Sequence, residues 1–269
     1  MHVETVFEQG VGTMNEDFHF VHGNQFGVFD GATSLTQATY RGGRTGGFLA
    51  SNIAGKTFMD EKTSLLELAG KANSSIRDAM RESGVDLSDK GYLWSTSAAV
   101  VRLYDDRFEW VQIGDCLVMI IHADGRREII PSAFDHDLDT LNMWKEASGG
   151  TDAPIISALH DQILGVRRLS NVTYGVLNGE KEAMNFMNQG SMSLDTVSHI
   201  LLFTDGLFLP KSDPNEREDF DLFSSLYLSG GLARVRNHIR AIEAQDAGCR
   251  TYPRFKAHDD IAAISIAFD

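Results

Sequence analysis

Carboxylates placed at the ends of apolar runs are the residues of this chain whose spacing could do chemistry. Ile200-Leu201-Leu202-Phe203 reads as a buried strand and runs through Thr204 into Asp205-Gly206. Phe26-Gly27-Val28-Phe29 runs into Asp30-Gly31, and Trp110-Val111-Gln112-Ile113 runs into Gly114-Asp115. Two further acidic pairs flank strand-like segments: Glu16-Asp17 before Phe18 to Val21, and Asp259-Asp260 before Ile261 to Phe268. A carboxylate at the mouth of a buried strand is costly to leave ionised and unpaired. Two unit negative charges about 4 Å apart repel by roughly 1 kcal/mol in water and about 4 kcal/mol at an effective dielectric near 20. Several such groups gathered together therefore need cations between them. Mg²⁺ and Mn²⁺ prefer oxygen ligands. Two such ions about 3.5–4 Å apart can share a water, turn it into a nucleophile near neutral pH and neutralise phosphate oxygens. No side-chain nucleophile is then required, and no G-x-S-x-G elbow is present.

The elements that must position these acids follow a definite order. Val3 to Phe7 reads as a strand, and Phe18 to Val21 with Gln25 to Phe29 reads as a hairpin turning at His22-Gly23-Asn24. Thr39 to Met59 reads as a helix with small residues on one side. A second helix starts at Ser64 with Glu67 placed for a capping box, and Gly84 stops it. Strand-like runs follow at Trp94 to Tyr104, Phe108 to Ile113, Cys116 to His122 and Arg127 to Ile130, with Asp124-Gly125 as a hairpin turn. Leu138 to Ala147 reads as helical. An irregular insert is expected around 147–190, containing a strand at Tyr174 to Leu177 and a short helix at Glu180 to Gln189. Asp221 to Ala244 reads as a helix broken near Gly230-Gly231, and Ile261 to Phe268 as the last strand. Strands and helices come in blocks rather than in βαβ alternation. The order therefore favours an α+β arrangement of packed antiparallel sheets in a single domain over 1–269.

Composition excludes several classes. The 269 residues are 42% hydrophobic and 23% charged, which is ordinary globular usage. No apolar run approaches the roughly 18–20 residues of a membrane span, and Met1 to Asp17 lacks a secretory pattern. Cys116 and Cys249 make no disulfide framework, so a cytoplasmic setting is expected. A net charge of −14 without a basic stripe argues against nucleic acid as a partner.

Six segments, in order, resemble the motif set of the metal-dependent Ser/Thr protein phosphatases, the PPM or type-2C family. They are Asn15-Glu16-Asp17, Val28-Phe29-Asp30-Gly31, Ser95-Thr96-Ser97-Ala98, Ile113-Gly114-Asp115, Phe203-Thr204-Asp205-Gly206 and Asp259-Asp260-Ile261. The resemblance spans nearly the whole chain. It implies an antiparallel β-sandwich flanked by helices on both sides, a four-layer αββα fold with two Mn²⁺ or Mg²⁺ ions at one end. It implies that Asp30 bridges both ions and that the Gly31 carbonyl reaches one. Asp205 and Asp259 would hold one ion, Glu16 the other through water, and Asp17 would orient the cluster. Asp115 resembles a further acidic position that can help hold a third, weaker ion. The implied activity is hydrolysis of phosphoserine and phosphothreonine in proteins, with Asp30, Asp205 and Asp17 as catalytic residues and a phosphorylated protein as partner. The alternatives are a PPM-fold binding or regulatory module and a phosphatase of small phosphoesters.

The chain also departs from that pattern. Gly12 stands where the family carries a phosphate-gripping arginine, and Ala32-Thr33 where many members have a histidine. Leu209 replaces an acidic residue, Asp260 stands where asparagine is common, and Cys116 where serine is common. Arg41, Arg44, Arg167 and Arg168 are the candidates to replace the missing phosphate contact.

Overall fold

The computed structural model describes residues 1–36, 38–130, 135–147 and 153–268. In chain order the strands are β1 (His2–Glu8), β2 (Phe18–His22), β3 (Gln25–Gly31), β4 (Thr96–Leu103), β5 (Arg107–Ile113), β6 (Leu117–His122), β7 (Arg127–Ile130), β8 (Asn188–Ser193), β9 (Val197–Phe203) and β10 (Ile261–Ala267). The α-helices are α1 (Gly46–Thr57), α2 (Leu65–Glu82), α3 (Leu138–Glu146), α4 (Ile155–Ala158), α5 (His160–Arg168) and α6 (Phe220–Glu243). Two five-stranded sheets form, ordered β1-β10-β9-β6-β7 and β2-β3-β4-β5-β8. Every pairing is antiparallel.

Three apolar layers stack these elements. Between the sheets lie Phe26, Val28, Val101, Val118, Ile200, Leu202 and Ile264. The outer face of the β2–β8 sheet meets α1 and α2 through Phe29, Ala54, Phe58, Ile76 and Val100. The outer face of the β1–β7 sheet meets α6 through Met119, Leu201, Phe203, Phe223, Val235 and Ile239. Each central strand is thus buried on both faces, which is why β6 and β9 read as continuous apolar runs rather than alternating ones. The αββα expectation holds.

Local signals explain several element ends. Ser64 and Glu67 form the capping box at the start of α2. The helix expected from Thr39 begins only at Gly46, because Gly42 and Gly43 have left-handed backbone and Thr45 takes the cap, accepting from the Phe48 N–H. Helix α6 is broken at Gly230-Gly231. The Glu4 carboxylate then accepts from the N–H groups of Leu232 and Ala233, satisfying the start of its second half. The expected irregular insert is more ordered than its sequence suggests. Its described part contains α4, α5 and a 3-10 turn at Lys181–Phe186, and it ends in β8. The strand expected at Tyr174 to Leu177 is reduced to isolated bridges with Ser170 and Thr96. No described helix is long and apolar enough to cross a membrane.

Candidate metal and phosphate site

The sheet registers bring the predicted acids to one end of the sandwich. In β3, Asp30 pairs with Ser97 and Gly31 with Thr96 at the start of β4. Strand β5 ends there at Ile113, opposite Ala98. The chain then crosses to the other sheet through Gly114, whose left-handed φ of 77° lets β6 begin at Leu117. Leu117 pairs with Phe203 of β9, so Asp115 and Asp205 extend the same rung beyond the sheet. Phe203 also pairs with Ala263, which places Asp259, just before β10, at the same end.

A cavity of about 140 Å³ opens there, lined by Asp30, Asp115, Asp205 and Asp259 together with Arg167 and Lys256. The carboxyls of Asp30 and Asp205 are neighbours there, each acting on the other's ionisation. Burial, then the charges of Asp205, Asp17, Asp115 and Asp259, push the Asp30 carboxyl well above the ordinary carboxylate range. Burial, then Asp259 and Asp115, push Asp205 up to about 8. Asp17 is likewise raised, by burial first, although Thr204 opposes the shift by donating to its Oδ2 at 2.8 Å. The Thr204 hydroxyl itself accepts from the Ala262 N–H at 3.0 Å. Glu16 accepts from the Thr45 hydroxyl at 2.5 Å. A Cβ built on Gly47 would lie 2.8 Å from both Glu16 Oε1 and the Gly31 carbonyl oxygen, so these two oxygens are close neighbours beside the start of α1.

The donor set is all oxygen, and Asp115 Oδ1 is buried without a hydrogen-bond partner. Both features suit a hard divalent ion. Among the described residues, however, no three acidic, histidine or cysteine side chains converge as a finished metal cage. Several acids already have other partners: Glu16 has Thr45, Asp17 has Thr204, and Asp259 has Lys256 at 2.6 Å. Asp30, Asp205 and Asp115 are left facing the cavity.

This end of the molecule can be compared with solved structures. The Ser/Thr phosphatase Stp1 from Staphylococcus aureus matches with a TM-score of 0.61 at 17% identity, covering 99% of this chain and 94% of that one. The PPM Ser-Thr phosphatase MsPP from Mycobacterium smegmatis, in complex with cacodylate, matches at 0.58 and 19%, covering 100% and 99%. The catalytic domain of the serine threonine protein phosphatase PstP, in complex with two manganese ions, matches at 0.58 and 17%, covering 100% and 98%. This chain has the PPM phosphatase fold. No protein-family model and no curated protein sequence matches it.

Within the PPM fold, the departures seen in the sequence acquire physical content. Of the four candidate arginines, Arg41 pairs with Glu82 on the surface, Arg168 pairs with Asp89, and Arg44 lies over the Phe48 ring. Arg167 alone of the four lines the acidic cavity, donating to the Thr33 carbonyl and feeling the charges of Asp137 and Glu16. Cys116 faces the apolar space between the sheets, where a thiol packs as a small hydrophobe. His258, next to Asp259 in the chain, bonds Glu243 at 2.8 Å.

Asp260 has a clear reason to be acidic. Its two oxygens accept from the Gly10 and Glu16 N–H groups, each at 2.7 Å, tying the loop before β2 to the start of β10. Asparagine offers one acceptor oxygen, and its amide would face the other N–H. Asp260→Asn is expected to cost about 2–3 kcal/mol of stability, measured by urea unfolding. An unchanged midpoint would contradict this account.

Sequence reasoning missed Lys256, Thr45 and the His136–Tyr174 stack, whose rings lie 4.0 Å apart at the cavity wall. Nothing marks them in the sequence: Thr45 and the ring stack act through partners distant along the chain, and Lys256, three positions from Asp259, lies outside any regular element.

Proposed function

We propose that this chain is a metal-dependent phosphatase that hydrolyses phosphoserine and phosphothreonine esters in proteins, acting as a single domain over 1–269. One observation carries the reading. Asp30, Asp115, Asp205 and Asp259, far apart in sequence, line one cavity in which burial and the neighbouring carboxylates push Asp30 and Asp205 upward. Asp30, the Gly31 carbonyl, Asp205 and Asp115 would hold Mn²⁺ or Mg²⁺, with Asp259, Glu16 and Asp17 bounding the site. When bound, such ions supply an activated water and neutralise phosphate oxygens. That PstP was crystallised with two manganese ions supports the choice of metal.

The chain's own residues do the rest. Arg167, at the cavity wall, is placed to receive the substrate phosphate, replacing the arginine that Gly12 lacks. Thr204 fixes Asp17, and Thr45 fixes Glu16, so the acidic wall is held before substrate arrives. Attack is in line at phosphorus, the P–O bond to the serine or threonine breaks, and inorganic phosphate is released without a phosphoenzyme.

The test is turnover of p-nitrophenyl phosphate and of phosphopeptides. Turnover should require Mn²⁺ or Mg²⁺ and vanish with EDTA. Arg167→Ala should lower kcat/KM at least about tenfold, the value of one charge-assisted hydrogen bond. Arg41→Ala, Arg44→Ala and Arg168→Ala should leave it unchanged. The engagement of Asp259 by Lys256 favours one alternative, a weakly active or regulatory relative, which would bind metal without turning substrate over. A panel of metabolite phosphates beside the phosphopeptides separates a small-molecule phosphatase.

A further inference from the structure

The geometry points to Lys256 as a built-in cation of this centre, occupying the side of the cluster where a second divalent ion would otherwise be needed, so that the chain holds one ion tightly rather than two. The inference rests on the metal-dependent reading above. Lys256 Nζ lies 2.6 Å from Asp259 Oδ1, and that same oxygen accepts from the Asp260 N–H at 2.8 Å. Its side chain is only 16% exposed. The negative charges of Asp30 and Glu16 also bear on the ammonium, which lines the cavity together with Asp115 and Asp205. Lys256 is therefore not a solvated surface lysine that happens to touch an acid. It projects its charge into the acidic cavity itself.

The acids divide accordingly. Asp30 and Asp205 both line the cavity, and Asp115 keeps an unpartnered buried oxygen. These three would have to draw together around the one divalent ion. Asp259 is neutralised by Lys256, and Glu16 is bonded to Thr45. A second divalent ion at Asp259 would sit beside a fixed like charge, and that repulsion is strong where water is scarce. An ammonium has three donors and no acceptor, so the two N–H groups not given to Asp259 remain for an anionic oxygen. Lys256 thus supplies the positive charge of the missing ion without being a metal.

Mn²⁺ binding to the full chain tests this by isothermal titration calorimetry and by metal analysis after gel filtration, neither of which depends on turnover. Wild type should hold one tightly bound Mn²⁺. Lys256→Met should acquire a second, with the first bound at least about tenfold more tightly. Lys256→Arg, which keeps the charge, should stay at one. Circular dichroism melts confirm that each variant is folded. Two tight ions in wild type, or one in Lys256→Met, would overturn the inference and leave the phosphatase reading standing. No Mn²⁺ bound by either protein would overturn both.

Discussion

Asp30→Asn is expected to reduce p-nitrophenyl phosphate turnover by at least about 100-fold and, in the metal-free protein, to raise the melting temperature. The two effects share one cause. Asp30, next to last in β3, lines the cavity and is pressed upward by burial and by four neighbouring acids. Asparagine keeps the shape and removes the charge. Loss of a partner outside a metal's own ligands already costs about 10–100-fold in affinity or activity, so loss of a central carboxylate should cost more. The same change relieves the burial and repulsion that raise Asp30 in metal-free protein, and each kcal/mol recovered is worth about 2–4 °C in a chain of this size. Turnover with Mn²⁺ and melting in EDTA are the two measurements. Near wild-type turnover in the variant would remove Asp30 from the centre of the scheme. A lower melting temperature would show that its charge is compensated within the protein.

The second large effect is the pH dependence of metal-free stability. Asp205 rises from 3.8 to about 8 on folding. A carboxyl whose folded value is raised contributes stability that is fully present below the unfolded value and lost as pH climbs through the folded one. Each unit corresponds to about 1.4 kcal/mol. Melting in EDTA should therefore fall steadily from about pH 4 to pH 8, on the order of 10 °C. Asp205→Asn should flatten that slope. Saturating Mn²⁺ near pH 8 should restore stability by about 2.7 kcal/mol at a hundredfold excess over Kd. A metal-free protein whose stability is level across this range would contradict the account of the cluster.

The parts legible in the sequence were those where burial and chemistry coincide. Strands β3 and β9 announce themselves because apolar residues run directly into Asp-Gly, and buried strands tolerate a carboxylate only at their ends. The break in α6 and the capping box of α2 were readable because each depends on neighbours in sequence. Strand β8 was not legible. Asn188–Ser193 is polar and lies at a sheet edge, where one partner, β5, and the packing of Trp110 over Gly190 define it. Helix α5 was missed because its buried side chains, Ile163 and Leu164, occupy too few turns to set up a period. The acids of the site were named from motifs, but how they are held was not. Thr45, Thr204 and Lys256 reach them across 29, 187 and 3 positions respectively, and even the shortest of these spacings lies in a loop with no regular pattern.

The pairing of β1 with β10 joins segments far apart along the chain. Strand β10 lies between β1 and β9, so β1 is separated from the rest of its sheet until β10 is made. Asp259 and Asp260 arrive with it, and Asp260 anchors the backbone at Gly10 and Glu16. A polypeptide still growing on the ribosome can carry Asp30, Asp115 and Asp205 and yet have no ordered centre. The acidic cluster is then complete only once β10 has paired with both of its neighbours.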